Sequence, residues 1–239
     1  MASHLSFPRA LGWPAGVVGL SALAYVAYVL VSWSRYGHAR SGGPEEADPL
    51  LDRFIPDYEV AERHHVQVSA PAEIALSAAA DTDLQESPIV RAIFRMREVV
   101  LGARPDAVTR PRGLLAQTTS LGWGVLAEVP GREIVVGAVT QPWQANVVFH
   151  PLSPAAFRDF LEPGFVKIVW TLRADPLSST RSIFRTETRV ATTDLEARRR
   201  FRWYWARFSP GIVLIRRVML GQLRTEAERR VKAAASLSS

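Results

Sequence analysis

Glu62 and His64 stand two residues apart in "YEVAERHHVQVS" (residues 58–69), a spacing that on a strand puts a carboxylate and an imidazole on one face. Such a pair can share a proton in general acid–base chemistry if that face points into a cavity. No third residue in the sequence marks itself as a partner that would orient either group, so a structural histidine is the competing reading. His65 points to the face opposite His64, which makes the adjacent histidines poor joint metal ligands. His150 stands alone before Pro151, and Asp159 and Glu162 fall in a short polar excursion expected to be solvated. The chain has no cysteine, which excludes disulfides, thiolate metal sites and a cysteine nucleophile. The G-x-S-x-G, H-E-x-x-H, Walker A and Rossmann glycine patterns are missing as well, and neither a metal nor a cofactor is expected.

A second group of residues suits binding. Trp123, Trp143, Phe149, Trp170 and Phe184 fall on or near expected strands, with Thr186 and Thr188 as polar handles. These side chains can line an apolar ligand cavity together with Trp205 and Phe208 of the last helix. Core packing accounts for them equally well. The stretch "ARRRFRWYWARFSPG" (residues 197–211) interleaves arginines with rings, a pattern shared by nucleic-acid grips and ordinary amphipathic helices. Spacing favours the helix. Phe201, Tyr204, Trp205, Phe208, Ile212, Ile215, Met219 and Leu223 form one stripe, while Arg199, Arg200, Arg202 and Arg207 lie off it. Nucleic acid is therefore not an expected partner. Trp203, Val213, Leu214 and Val218 leave apolar surface outside the stripe. Pro210 and Gly211 predict a bend that gates the cavity, or one that only follows the curvature of a sheet.

The elements that must position these residues follow from periodicity. Val60, Glu62, His64, Val66 and Val68 alternate against Ala61, Arg63, His65 and Gln67, which predicts a first strand. Two helices are expected next, one opened by Pro71 and Glu73, the other capped by Ser87, opened by Pro88 and ended by Gly102. Past the basic loop "ARPDAVTRPRG", the segments "LLAQTTS", "GWGVLAEV", "EIVVGAVTQPW" and "ANVVFH" read as strands, with a hairpin at Val129–Arg132. "SPAAFRDFLEPG" is a short helix, "FVKIVWTLRA" and "RSIFRTETRVATT" are long strands, and a closing helix begins at Asp194 behind a Thr193-x-x-Glu196 capping box.

The 239 residues are 48% hydrophobic and 22% charged with a net charge of +6, enough for one core with appendages and a weak attraction to anionic surfaces. Residues 10–34 carry no ionisable acid or base and have Trp13 at one end and Trp33 and Tyr36 at the other. That length and those flanks predict a transmembrane anchor over 1–36, with the alternative of an apolar helix docked on the folded domain. Arg9 before the segment and Arg35 and Arg40 after it tilt the expected orientation toward a cytoplasmic C-terminus, so a single-pass membrane location is expected. A linker over 37–49, a folded domain over 50–232 and a disordered tail over 233–239 complete the expected division.

The order of elements, with "VQVSAPAEIALSAA" after the first strand and "FRTETRVATTDLEARRRFRWYWARFSPGIVLIRR" running from last strand into last helix, resembles the START/Bet v 1-like (SRPBCC) superfamily from Tyr58 to about Arg230. The resemblance implies an α+β helix-grip fold, a curved antiparallel sheet wrapped around a long C-terminal helix, enclosing a cavity for lipids, sterols, polyketides and other apolar molecules. With the expected anchor, the reading is binding of an apolar small molecule or lipid by a membrane-anchored domain. The alternatives are a polyketide cyclase- or hydrolase-like enzyme using polar groups such as Glu62 and His64, and a structural or interaction protein with a filled core. "EIALSAAADTDL" departs from relatives that carry aromatic residues in this first helical region, and the N-terminal segment and linker are additions to the pattern.

Overall fold

A computed structural model describes residues 12–39, 42–103 and 111–237. Arg9, Arg40, most of the basic loop and residues 238–239 lie outside the described residues. Helix α1 (Gly12–Arg35) leads through a short 3-10 turn to α2 (Pro49–Asp52) and then to strand β1 (Val60–Val68). Helices α3 (Ala72–Asp81), α4 (Pro88–Leu101) and α5 (Leu114–Ser120) follow. Strands β2 (Gly124–Val129), β3 (Glu133–Thr140) and β4 (Phe149–His150) precede α6 (Pro154–Arg158). Strands β5 (Val166–Ser178) and β6 (Arg181–Thr192) complete the sheet, and α7 (Leu195–Leu237) closes the chain.

All strand pairings are antiparallel, in the order β1-β6-β5-β3-β2, with β4 added beside β3. Because successive side chains of a strand alternate, the sheet presents two faces with different coverings. On one face Trp170, Leu172, Phe184, Ile134 and Val136 join Met219 and Leu223 of α7 in one core, and Val60, Val190, Phe201 and Trp205 make a second beside it. On the opposite face α2 and α6 bring Leu51, Phe54, Ile55 and Phe157 onto Val135, Val139 and Val169. Gly137 sits in that second layer: a Cβ there would stand 2.5 Å from Leu126 Cδ1 and 3.1 Å from Val169 Cγ1, so the bare backbone lets these side chains close. The architecture is α+β as expected, an antiparallel sheet laid against a 43-residue C-terminal helix.

Helix α7 follows the expected stripe, with Phe201, Trp205, Met219 and Leu223 buried. It continues without interruption through Pro210, and Gly211 accommodates α4, since a Cβ there would meet Ile93 Cγ2 at 2.9 Å. The helix extends to Leu237, so the expected tail is helical over 233–237. Its cap is Asp194, whose carboxylate accepts from the Ala197 N–H at 2.8 Å and from the Gly164 N–H, rather than Thr193. Thr193 instead bonds the backbone of Phe165. These amide donors hold the Asp194 carboxyl below the usual range.

Two expectations are corrected. "LLAQTTS" is α5, not a strand: Gly113 at φ 91° breaks the chain before it, and Leu114, Gln117 and Thr118 are buried at helical spacing. Gln117 fixes this turn through a 2.7 Å bond to Asp83. The N-terminal anchor is the larger correction. Among the described residues, no helix is long and apolar enough to cross a membrane, so the transmembrane helix and the single-pass location are not supported. Helix α1 lies instead along the arginine-bearing back of α7. Tyr25 Oη donates to the Arg207 carbonyl at 2.9 Å, Arg202 Nη2 donates to the Trp33 carbonyl at 2.8 Å, and the Trp33 and Trp203 rings meet at 4.4 Å. Charged partners of this kind are costly in a hydrocarbon core. Leu20, Leu23 and Leu30 on the other side of α1 remain exposed.

Candidate functional site

The register of β1 on β6 pairs Glu62 with Thr188 and His64 with Thr186, and that of β6 on β5 pairs Thr188 with Trp170. Glu62, Thr188 and Trp170 therefore form one row across the face that α7 covers. His64 Nε2 lies 3.6 Å from Glu62 Oε2, just beyond hydrogen-bond reach. Burial raises the Glu62 carboxyl above its ordinary pKa. Burial lowers that of His64, and the positive charges of Arg216, Arg217 and His65 lower it further, so the ring is neutral at pH 7.

Arg216 completes the group from the helix side. Its Nη2 donates to Thr188 Oγ1 at 3.1 Å, its Nη1 lies 3.9 Å from Met219 Sδ, and its guanidinium carbon sits 4.6 Å from the centroid of the Trp170 ring. Burial pushes this guanidinium down to about 10. Among the described residues, His64 Nε2, Thr186 Oγ1 and Ser209 Oγ are buried with no hydrogen-bond partner. Ser209 is seven residues before Arg216, two helical turns along the same face. The sequence reading passed over Arg216 and Ser209. Their spacing was the available signal: Arg216 is four residues after Ile212 and three before Met219, inside the apolar stripe rather than behind it.

The aromatic candidates divide. Trp123 packs on Phe149 at 5.1 Å and on Trp170 at 6.4 Å, forming one ring cluster beside the polar row. Phe184 is fully buried next to Leu172 and Met219, while Thr186 and Thr188 lie in the polar row. Trp205 belongs to the neighbouring core with Phe201, and the Phe208 ring packs at a tilt on Tyr204 at 4.9 Å. Trp143 faces that same core and borders a groove of about 370 Å³ lined by Gln141, Gly164, Asp194 and Arg200 at the start of α7. Among the described residues, no cluster of three or more His, Asp or Glu side chains is placed to hold a metal.

On the opposite face the charged residues pair among themselves. Arg189 bonds Glu187 and Asp52, Arg63 bonds Glu187, and Arg173 and Arg185 both reach Asp175. Glu133 and Asp48 are both buried, and their carboxyls interact. Burial first, and then the neighbouring Asp48, push the Glu133 carboxyl up to about 8. Asp48 also caps α2, accepting from the N–H groups of Leu50 and Leu51. This network fastens α2 to the sheet.

No family model and no curated protein matches the chain. Among solved structures, a hypothetical protein from Helicobacter pylori aligns with 78% of this chain and 99% of its own at 9% identity and a TM-score of 0.38. A protein from Chromobacterium violaceum covers 70% of this chain and 96% of its own at 16% identity and a TM-score of 0.29. The Zhui aromatase/cyclase from Streptomyces sp. R1128 covers 73% of this chain and 97% of its own at 19% identity and a TM-score of 0.25.

Proposed function

We propose that this chain binds an apolar small molecule or lipid between the sheet and α7. The observation that carries the reading is an apolar wall of Ile134, Leu172, Phe184 and Met219 beside a few inward polar groups whose hydrogen-bonding capacity is unused. Ligand sites have this composition, mostly apolar with a small number of convergent polar atoms. A core built for packing alone satisfies its buried polar atoms, and each orphan costs about 1–3 kcal/mol. Native mass spectrometry of the purified full chain tests the proposal: a co-purifying small molecule released on unfolding is expected. Its repeated absence, together with failure to bind any apolar probe, favours a filled core with a structural role.

A second reading has one specific observation in its favour, the 3.6 Å approach of Glu62 and His64 on the face that α7 covers. A neutral imidazole beside a carboxyl can move a proton on a bound molecule, the chemistry of a cyclase- or hydrolase-like enzyme. Under that reading Glu62→Gln and His64→Gln leave the molecule bound but stop its conversion, followed by mass. Conversion at the wild-type rate in both variants refutes it.

A further inference from the structure

We infer that the ligand carries a single carboxylate and that Arg216 is the residue that receives it; the inference rests on the binding reading above. The arginines on the other face of the sheet, Arg63, Arg173, Arg185 and Arg189, all have carboxylate partners. Arg216 has none within 4.0 Å among the described residues; its polar contacts are the Thr188 hydroxyl and the Met219 sulfur. A guanidinium has five N–H donors, and two neutral partners and one ring face leave most of that capacity unused. Packing does not call for a charge here. The stripe positions before and after it are Ile212 and Met219, and a methionine would fill a similar volume without desolvating a cation. A cation kept in an apolar wall without its counter-ion is suited to an anion that arrives with the ligand.

The surroundings select the charge and shape of that anion. Arg216 supplies one positive charge, and His64 adds a neutral ring because burial and the nearby arginines depress its protonation. Glu62 lies on the same face and disfavours a second negative charge. Thr186, 2% exposed with an unpaired Oγ1, offers a hydroxyl to the second carboxylate oxygen. A monoanion matches this set and a phosphate dianion does not. The ligand's apolar body then lies against Leu172, Phe184 and Met219.

Calorimetric titration of the full chain at pH 8 with decanoate, decanol and decyl phosphate separates the possibilities. Decanoate is expected to bind about 10- to 100-fold more tightly than decanol, the range of one charge-assisted hydrogen-bonded contact. Decyl phosphate is expected to bind more weakly than decanoate. In Arg216→Met the preference for decanoate over decanol should fall to within about 3-fold, and Arg216→Lys should keep part of it. Equal wild-type binding of decanoate and decanol overturns the role of Arg216 while leaving apolar binding standing. Tighter binding of decyl phosphate overturns the single carboxylate. A preference retained in a folded Arg216→Met overturns the role of Arg216, and binding of none of the three overturns the binding reading itself. The wild-type comparison decides the matter even if Arg216→Met does not fold.

Discussion

Replacing Glu133 by glutamine should change how the stability of this protein depends on pH. Glu133 is 6% exposed, its Oε1 has no hydrogen-bond partner, and it faces Asp48, Arg173 and Asp175. Its carboxyl is pushed from 4.5 up to about 8, so between those values the folded chain holds a proton that the unfolded chain releases. Stability from this group is thus complete below about pH 4.5 and is lost as pH rises through about 8. A displacement of that size corresponds to at most about 5 kcal/mol at 1.36 kcal/mol per pH unit, and on the order of 3 kcal/mol after relaxation of the site. Glutamine keeps the shape and a neutral side chain beside Asp48 without the titration. Urea unfolding from pH 5 to 9 should show wild type falling relative to Glu133→Gln by on the order of 3 kcal/mol, with the variant the more stable at pH 9. If the difference between the two proteins stays flat within about 0.5 kcal/mol across that range, Glu133 is not held protonated in the folded chain.

The remaining predictions concern packing. Gly137→Ala should destabilise by about 1–3 kcal/mol, because the added methyl meets Leu126, Val169 and Phe157 in the layer under α6; an unchanged melting temperature contradicts this. Trp203→Ala removes the Trp33 contact and the ring under Arg207, worth about 1–2 kcal/mol together. Chymotrypsin should then cut α1 about 5- to 30-fold faster, since local opening controls access; cleavage at the wild-type rate means that this contact does not hold α1 in place.

Much of the fold was legible because its periodicities are simple. Alternation in β1, β5 and β6 marks their two faces, and the threes and fours of α7 mark its buried stripe. Segments whose conformation depends on distant partners were less accessible. "LLAQTTS" precedes a run of strand-like segments and reads with them, yet a bond from Gln117 to Asp83 and a positive φ at Gly113 make it α5. The meeting of Glu133 and Asp48 arises from strand register together with the path of the chain into α2, which no local pattern encodes. At the candidate site the spacing that placed Glu62 and His64 on one face was sufficient, and the same rule applied to α7 would have placed Arg216 opposite them. What hid it was chemistry: a charged residue is assigned to solvent by default, so the exception inside an apolar stripe is the informative one.

The same default misread the N-terminal helix. A segment of this length without acids or bases invites a bilayer reading, and the lack of charge does not distinguish lipid from protein as the covering partner. The distinction lay in the partner's sequence rather than in the segment's own. Arg202, Trp203 and Arg207 lie off the buried stripe of α7, where solvated charge was the expected role. Their contacts are with α1: the Arg202 guanidinium lies 4.1 Å from the Trp33 ring centroid and bonds its carbonyl, while Arg207 covers Trp203 at 4.9 Å. The alternation of arginine and ring in "RFRWYWAR" therefore serves both sides of one helix. Rings at Phe201 and Trp205 close the sheet, and the residues between them seat α1 on the back.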